Sequence, residues 1–156
     1  MSKMPEVGQR APDFKMETDT GGSVSLKKFE GNPVVLYFYP KDDTPGCTKE
    51  AIAFTGALRK FEKAGAAVIG VSKDSCATHA KFREKYDLGH ALAADEDGAV
   101  CGAYGVWVEK LNYGRKYLGI QRATFLIDGS GVVRQVWPKV RVDGHAEEVL
   151  EAVKAL

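Results

Sequence analysis

Cys47 closes the stretch Pro40-Lys41-Asp42-Asp43-Thr44-Pro45-Gly46-Cys47, directly after the apolar run Val34-Val35-Leu36-Tyr37-Phe38-Tyr39. That order puts a thiol where a strand hands over to a helix. Thr44 is a good N-cap, Pro45 suits the first helical position, and Cys47 falls inside the first turn. Its sulfur is then expected to face backbone N–H groups that lack partners within the helix. Those donors, with the positive end of the helix dipole, favour thiolate over thiol, which is how a chain makes a sulfur nucleophile at neutral pH.

The elements around this junction follow from hydrophobic patterning. Phe14-Lys15-Met16-Glu17 and Ser23-Val24-Ser25-Leu26 flank Asp19-Thr20-Gly21-Gly22, which predicts a hairpin with a glycine turn. The unbroken apolar run from Val34 to Tyr39 predicts a central strand covered on both faces. Ile52, Phe54, Leu58 and Phe61 recur at roughly helical spacing within Lys49 to Lys63, and Gly65 ends that helix. Ala66 to Val71 forms a second buried strand, followed by the capping signals Ser72, Asp74 and Ser75 and a helix to about Tyr86. Ala91 to Ala94 reads as a weak strand and Gly98 to Tyr104 as a short helical piece, with a turn at Tyr113 to Tyr117 between extended segments. Ala123 to Ile127 and Val132 to Trp137 make a hairpin around Asp128-Gly129-Ser130-Gly131, and Asp143 or Gly144 opens a last amphipathic helix.

Two successive strand-to-helix units imply parallel strands with right-handed crossovers. The whole order describes an α/β fold, a thioredoxin-like three-layer sandwich with a central mixed sheet and an N-terminal hairpin. Cys47 and Cys76 each follow the carboxyl end of a predicted parallel strand, so both thiols belong at the same edge of the sheet.

With 156 residues, 44% hydrophobic and 28% charged, the chain suits one globular domain over 1–156. Twenty-two basic against twenty-one acidic residues leave a net charge of +1, which points to neither nucleic acid nor an anionic membrane as partner. The start Met1-Ser2-Lys3-Met4-Pro5-Glu6 lacks the apolar segment of a signal peptide, and no apolar run reaches membrane-spanning length, so a cytoplasmic location is expected. Three widely spaced cysteines form neither a secreted disulfide framework nor the close pairs of a zinc site. No metal or cofactor is expected.

Pro40-x-x-x-Thr44-x-x-Cys47, then Thr48-Lys49-Glu50, and much later Gln121-Arg122-Ala123-Thr124-Phe125-Leu126-Ile127-Asp128, closely resembles the peroxiredoxins. Within them the chain looks most like the bacterioferritin comigratory protein or peroxiredoxin Q subfamily. The resemblance runs from Gly8-Gln9-Arg10-Ala11-Pro12-Asp13-Phe14 through Tyr104-Gly105-Val106-Trp107 to Gly144-His145-Ala146. It implies a thiol-dependent peroxidase that reduces hydrogen peroxide and organic hydroperoxides through a Cys47 thiolate. Such a thiolate attacks one peroxide oxygen while the departing oxygen gains negative charge, so donors are needed around both. Thr44 then holds peroxide and thiolate, the backbone N–H of Cys47 donates, and Arg122 supplies a permanent cation whose fork suits two contacts. Pro40, with no N–H, shields the pocket from bulk water, and Glu50, one turn after Cys47, orients Arg122.

Oxidation would leave a sulfenic acid on Cys47, to be resolved by another thiol. Many members of the subfamily carry that cysteine five residues on, where Ile52 stands here. Others carry it on the next helix, which Cys76 opens, about two turns before the position near Arg83 that the family suggests. Cys76 is preferred because the strand argument puts it at the right edge and a helix start should activate it. A disulfide needs Cα atoms within about 7 Å, so the first turn around Cys47 would have to unwind. Cys101 and direct reduction of Cys47 by an external thiol stay open as alternatives. The resemblance also points to recycling by thioredoxin and to a monomer.

A cysteine alone is more often a small buried hydrophobe, a reading that Cys76 and Cys101 keep among alanines such as Ala77 and Ala99. The Pro, Thr and Arg context argues otherwise for Cys47. Cys76 and His79 lack further metal ligands and fit a solvated helix face. His90 and His145 are expected to be structural or exposed, Trp107 and Trp137 to pack with Trp107 bordering the pocket, and Lys81, Arg83, Glu84 and Lys85 to form an exposed face. A phosphatase loop would need arginine at Ala53, and a Cys-x-x-Cys oxidoreductase would need cysteine at Glu50. A non-catalytic binding module of thioredoxin fold is the remaining alternative, and it would not need Thr44, Cys47 and Arg122 together.

Overall fold

A strand whose every side chain is apolar can exist only where both faces of its sheet are covered, and Val34–Phe38 is buried at all five positions. A computed structural model describes residues 3–156 and builds the rest around this strand. In chain order the strands are β1 (Lys15–Thr18), β2 (Ser23–Ser25), β3 (Val34–Phe38), β4 (Ala67–Ser72), β5 (Ala91–Ala94), β6 (Trp107–Asn112), β7 (Arg115–Ile120), β8 (Ala123–Ile127) and β9 (Val133–Trp137). The helices are α1 (Pro45–Lys63), α2 (Cys76–Tyr86), α3 (Ala99–Ala103) and α4 (His145–Lys154).

Seven strands form one mixed sheet in the order β2-β1-β5-β4-β3-β8-β9. β3, β4 and β5 run parallel, while β8 pairs antiparallel with β3 and β1 antiparallel with β5. The N-terminal hairpin is therefore an edge of the central sheet. Side chains of β3 alternate strictly between two cores, as the period of two requires. Val35, Tyr37 and Tyr39 join Phe54, Phe61, Phe82, Val149 and Leu150 under α1, α2 and α4, whereas Val34, Leu36 and Phe38 join Phe14, Leu26, Cys101 and Tyr104 on the other face. These are the three layers of a thioredoxin-like fold.

Two registers position the chemistry. The parallel pairing of β3 with β4, Val34 with Ala67 through Phe38 with Val71, sends α1 and α2 off from the same edge of the sheet. The antiparallel pairing of β3 with β8 sets Phe38 opposite Ala123, so Arg122 stands level with the loop leaving β3.

The turn expected at Tyr113 to Tyr117 proves tighter. Tyr113 and Gly114 carry φ of 52° and 77° and join β6 to β7 in a separate two-stranded ribbon. This ribbon exposes Leu111, Tyr113 and Leu118. No helix among the described residues is long and apolar enough to cross a membrane.

Gly70 shows how tightly the β3 layer is fitted. A Cβ there would lie 2.7 Å from the ring of the fully buried Tyr37, whose hydroxyl meets His90 Nε2 at 2.6 Å. Gly70→Ala is expected to lower the unfolding free energy by about 1–3 kcal/mol through overpacking, read as a lower urea midpoint at unchanged slope.

Candidate active site

Helix α1 carries one inward stripe, on which Cys47, Glu50, Ala51, Phe54 and Phe61 are buried. The spacing of three puts Glu50 one turn behind the sulfur on the same face. Cys47 is the third residue of the helix and 2% exposed. Arg122 reaches it from the start of β8: Nη2 donates to Cys47 Sγ at 3.3 Å and Nη1 donates to Glu50 Oε1 at 2.7 Å. One guanidinium fork thus spans the thiol and the carboxyl, across 75 residues of sequence to the first and 72 to the second. The arginine backbone is held too, its carbonyl accepting from Val140 N at 3.1 Å.

Gly46 makes this approach possible, because a Cβ at that position would lie 3.2 Å from Arg122 Nη2. Its role escaped sequence reasoning, although a glycine in the first turn of a helix, against propensity, is a signal of close approach. Thr44 caps α1 in backbone conformation, with φ −96° and ψ 154°, but its hydroxyl does not bond the helix. Contrary to the expected cap, Thr44 Oγ1 donates to Lys41 O at 2.8 Å. With its proton committed, that oxygen has only lone pairs to offer, and so serves as an acceptor. Pro40 lies exposed where the loop begins.

The electrostatics centre on two buried charges. Burial pushes the Glu50 carboxyl up to about 7, against the pull of Arg122. Glu50 Oε2 is buried with no partner among the described residues, so an uncharged carboxyl would carry its proton there. The neighbouring Thr48 Oγ1 is likewise buried and unpartnered. For Arg122, burial works against the charge, but Glu50 and Cys47 outweigh it and raise the guanidinium above its usual range. Lys110 on β6, another residue not foreseen, feels the same site. Burial and the Arg122 cation hold its ammonium below the usual lysine range, with Cys47 opposing.

The other two cysteines differ sharply. Cys76 is the first residue of α2 and partly exposed, yet burial and the carboxylates Glu17, Glu96 and Asp19 push its thiol up. The activation expected from its helix start is therefore overturned, since burial first and then three carboxylates disfavour the thiolate. Cys101 is fully buried in the core on the opposite face of the sheet from Cys47. Burial and the nearby Asp95 carboxylate push its thiol up strongly.

Two expectations of solvated faces fail in part: Lys81, Glu84 and Lys85 are exposed as expected, but His79 and Arg83 are not. His79 is fully buried, bonded to Asp42 Oδ2 at 2.6 Å and to Ala93 O at 3.0 Å. Arg83 turns inward, donating to both Asp19 oxygens and to the carbonyls of Leu88 and His90. His90 and His145 are buried and bonded to Tyr37, Thr55 and Thr124. Trp107 lies under Lys73 Nζ, 4.3 Å from the ring centroid.

The AhpC/TSA family model matches residues 7–136. The chain is 45% identical to peroxiredoxin Bcp of Bacillus subtilis, over 96% of this chain and 95% of that one. Among solved structures it is similar to Xylella fastidiosa PrxQ, with a TM-score of 0.93 at 35% identity over 99% and 98% of the two chains. It is also similar to the Xanthomonas campestris bacterioferritin comigratory protein, whose structures concern alkyl peroxide reduction, with a TM-score of 0.88 at 43% identity over 97% and 96%.

Glu50 makes a testable contribution to pH dependence. Its folded value of about 7 lies above the ordinary 4.5, so between these the native state holds a proton that the unfolded chain has lost, and stability falls as pH rises through the window. Glu50→Gln keeps an acceptor for Arg122 and removes the titration. Urea melts should find wild type losing stability relative to this variant between about pH 5 and about pH 8.

Proposed function

As this chain belongs to the AhpC/TSA family and is a peroxiredoxin of the Bcp/Q kind, a thiol-dependent peroxidase, we propose that Cys47 is its peroxidatic residue and Arg122, Thr44 and Pro40 its substrate-binding set. The observation that carries this is the 3.3 Å contact of Arg122 Nη2 with Cys47 Sγ at a helix start. A guanidinium there stabilises negative charge on sulfur in a water-poor site.

Hydroperoxide enters with its O–O bond in line with Sγ. The thiolate donates its electron pair to one oxygen, the O–O bond breaks, and the other oxygen leaves with the bonding pair and takes up a proton as water or alcohol. Cys47 becomes a sulfenic acid. Arg122, already at the sulfur, meets the charge that builds on the oxygens, and Thr44 Oγ1 accepts the peroxide O–H. Pro40 adds no donor of its own at the entrance. Glu50 orients the guanidinium from behind.

Resolution by Cys76 follows from the shared sheet edge. Its thiol attacks the sulfenic sulfur, a disulfide forms, and water leaves. The first turns of α1 and α2 must open for this, because Cys76 faces Glu17 and Asp19 of the β1–β2 hairpin while Cys47 faces Arg122. A dithiol reductant of the thioredoxin class then restores both thiols, the protein acting as a cytoplasmic monomer. The carboxylates that raise Cys76 favour a second reading, in which an external thiol reduces Cys47 directly.

Cys47→Ser should abolish peroxide consumption. Arg122→Leu should cut the second-order rate constant with hydroperoxide about 10²- to 10³-fold, as loss of a preorganised donor does elsewhere. Peptide mapping after one equivalent of peroxide should recover a Cys47–Cys76 disulfide. Recovery of Cys47 as sulfenic acid or as a mixed disulfide alone would transfer the resolving step to an external thiol.

A further inference from the structure

A buried polar cluster away from Cys47 lies between α2 and the loop that feeds α1. His79 sits on α2 one turn after Cys76, with no exposure. Its Nε2 is 3.0 Å from the carbonyl oxygen of Ala93 on β5, and a carbonyl only accepts, so Nε2 carries a hydrogen. Its Nδ1 is 2.6 Å from Asp42 Oδ2, while Asp42 Oδ1 already accepts from Tyr39 Oη at 2.6 Å. A second proton must therefore lie between Nδ1 and Oδ2. The ring has no lone pair left for a metal, even though Asp42, Asp74 and His79 lie within 4.8 Å of one another. Asp42 is fastened in turn, its backbone N–H donating to Asp74 Oδ2 at 2.8 Å, and Ser72 Oγ donating to that same oxygen at 2.6 Å.

The next loop residue holds the other end of the same helix. Asp43, with a left-handed φ of 59°, accepts from Lys85 Nζ at 2.8 Å and from Tyr86 Oη at 2.5 Å. That clasp is in water and screened, whereas the one at His79 is buried. Two consecutive residues of the active-site loop thus grip both ends of the helix that begins with Cys76. The same loop carries on into α1, so it ties the helix of Cys76 to the helix of Cys47.

We infer that His79 is a positioning residue for disulfide formation: as an imidazolium clasped by Asp42 and the Ala93 carbonyl, it docks the first turn of α2, and its release frees Cys76 to reach oxidised Cys47. The step it gates is the condensation of Cys47 sulfenic acid with Cys76 thiol to disulfide and water. This part rests on the assignment of Cys76 as resolving thiol; the clasp itself does not. The groups that face His79 are Asp42 and Tyr39 from the end of β3 and its loop, Asp74 from the β4–α2 loop and the Ala93 carbonyl from β5. Burial opposes the charge on His79, but Asp42, Ala93 and Asp74 outweigh it and raise the imidazole above its usual value. A raised value means that the clasp is complete below the unfolded value of 6.5 and is lost as pH rises through the folded one.

Nitrogen NMR of the reduced wild-type protein at about pH 6 should find both His79 ring nitrogens protonated. A neutral single tautomer there overturns the inference. Hydrogen exchange on the reduced protein, corrected for intrinsic rates, should show the amides of residues 77–80 about tenfold or more less protected in Asp42→Asn and His79→Gln, with β3 and β4 unchanged. Wild type should lose the same protection as pH rises, which decides the matter should either variant fail to fold. Protection unaltered by variant and by pH overturns the clasp. In stopped-flow, both variants should accelerate disulfide formation about tenfold and leave sulfenic acid formation within about threefold. If mapping shows no Cys47–Cys76 bond while exchange behaves as described, the resolving assignment falls and the clasp stands. If the bond forms at equal rates in variants and wild type, the gating role falls alone.

Discussion

A cation and a sulfur that are both nearly out of water have to be brought together with their charges matched, and the remainder of this molecule is arranged around that requirement. Burying Arg122 costs solvation that only opposite charge can return, and Cys47 and Glu50 are the two groups that return it. Glu50 cannot serve as a full anion without cost, since one of its oxygens is buried and unpartnered. The result is a shared balance among three groups. The guanidinium is charged throughout, and Cys47 and Glu50 compete for its fork. Gly46 lets the three come close by having nothing in the way.

The sheet keeps three thiols in three environments. Cys47 lies on the inner face of α1 beside a cation, Cys101 lies across the sheet in a core that raises its thiol, and Cys76 sits at the shared edge among carboxylates. Raising Cys76 has a consequence for order of reaction. In the proposed mechanism, a weakly ionised Cys76 does not compete for peroxide and acts only after Cys47 has been oxidised. Docking of α2 by Asp42 and Asp43 would, on the proposed gating role of His79, add a mechanical delay to this chemical one. The loop between β3 and α1 thus both caps the backbone of the Cys47 helix at Thr44 and bonds the helix that begins with Cys76.

Local signals made much of this legible. The unbroken run of β3, the Thr44-Pro45 helix start, the Gly65 stop and the Asp128-Gly129-Ser130-Gly131 hairpin are each dictated within a few residues, and the structure has them there. The expectations that failed concern partners distant in sequence. Thr44 turned to Lys41 instead of the helix, which no propensity records. Arg83 and His79 look like members of a solvated helix face until the β1–β2 turn and the active-site loop supply Asp19 and Asp42. The activation expected for Cys76 failed for the same reason, because burial and the approach of Glu17 and Asp19 from the hairpin and of Glu96 from the loop after β5 arise only through packing.

By itself, then, the order of residues determined the strand-to-helix junction that carries Cys47, the sequence of elements, and the types of group needed for peroxide chemistry, because these depend on periodicity, capping and side-chain identity at short range. Tertiary structure alone decided which charges meet. The β3–β8 register set Arg122 on Cys47, the sheet separated Cys101 from it, and burial raised Glu50 and enclosed His79. Electrostatic interactions act through space and grow as water is excluded, so their outcome is fixed only once distant segments have packed.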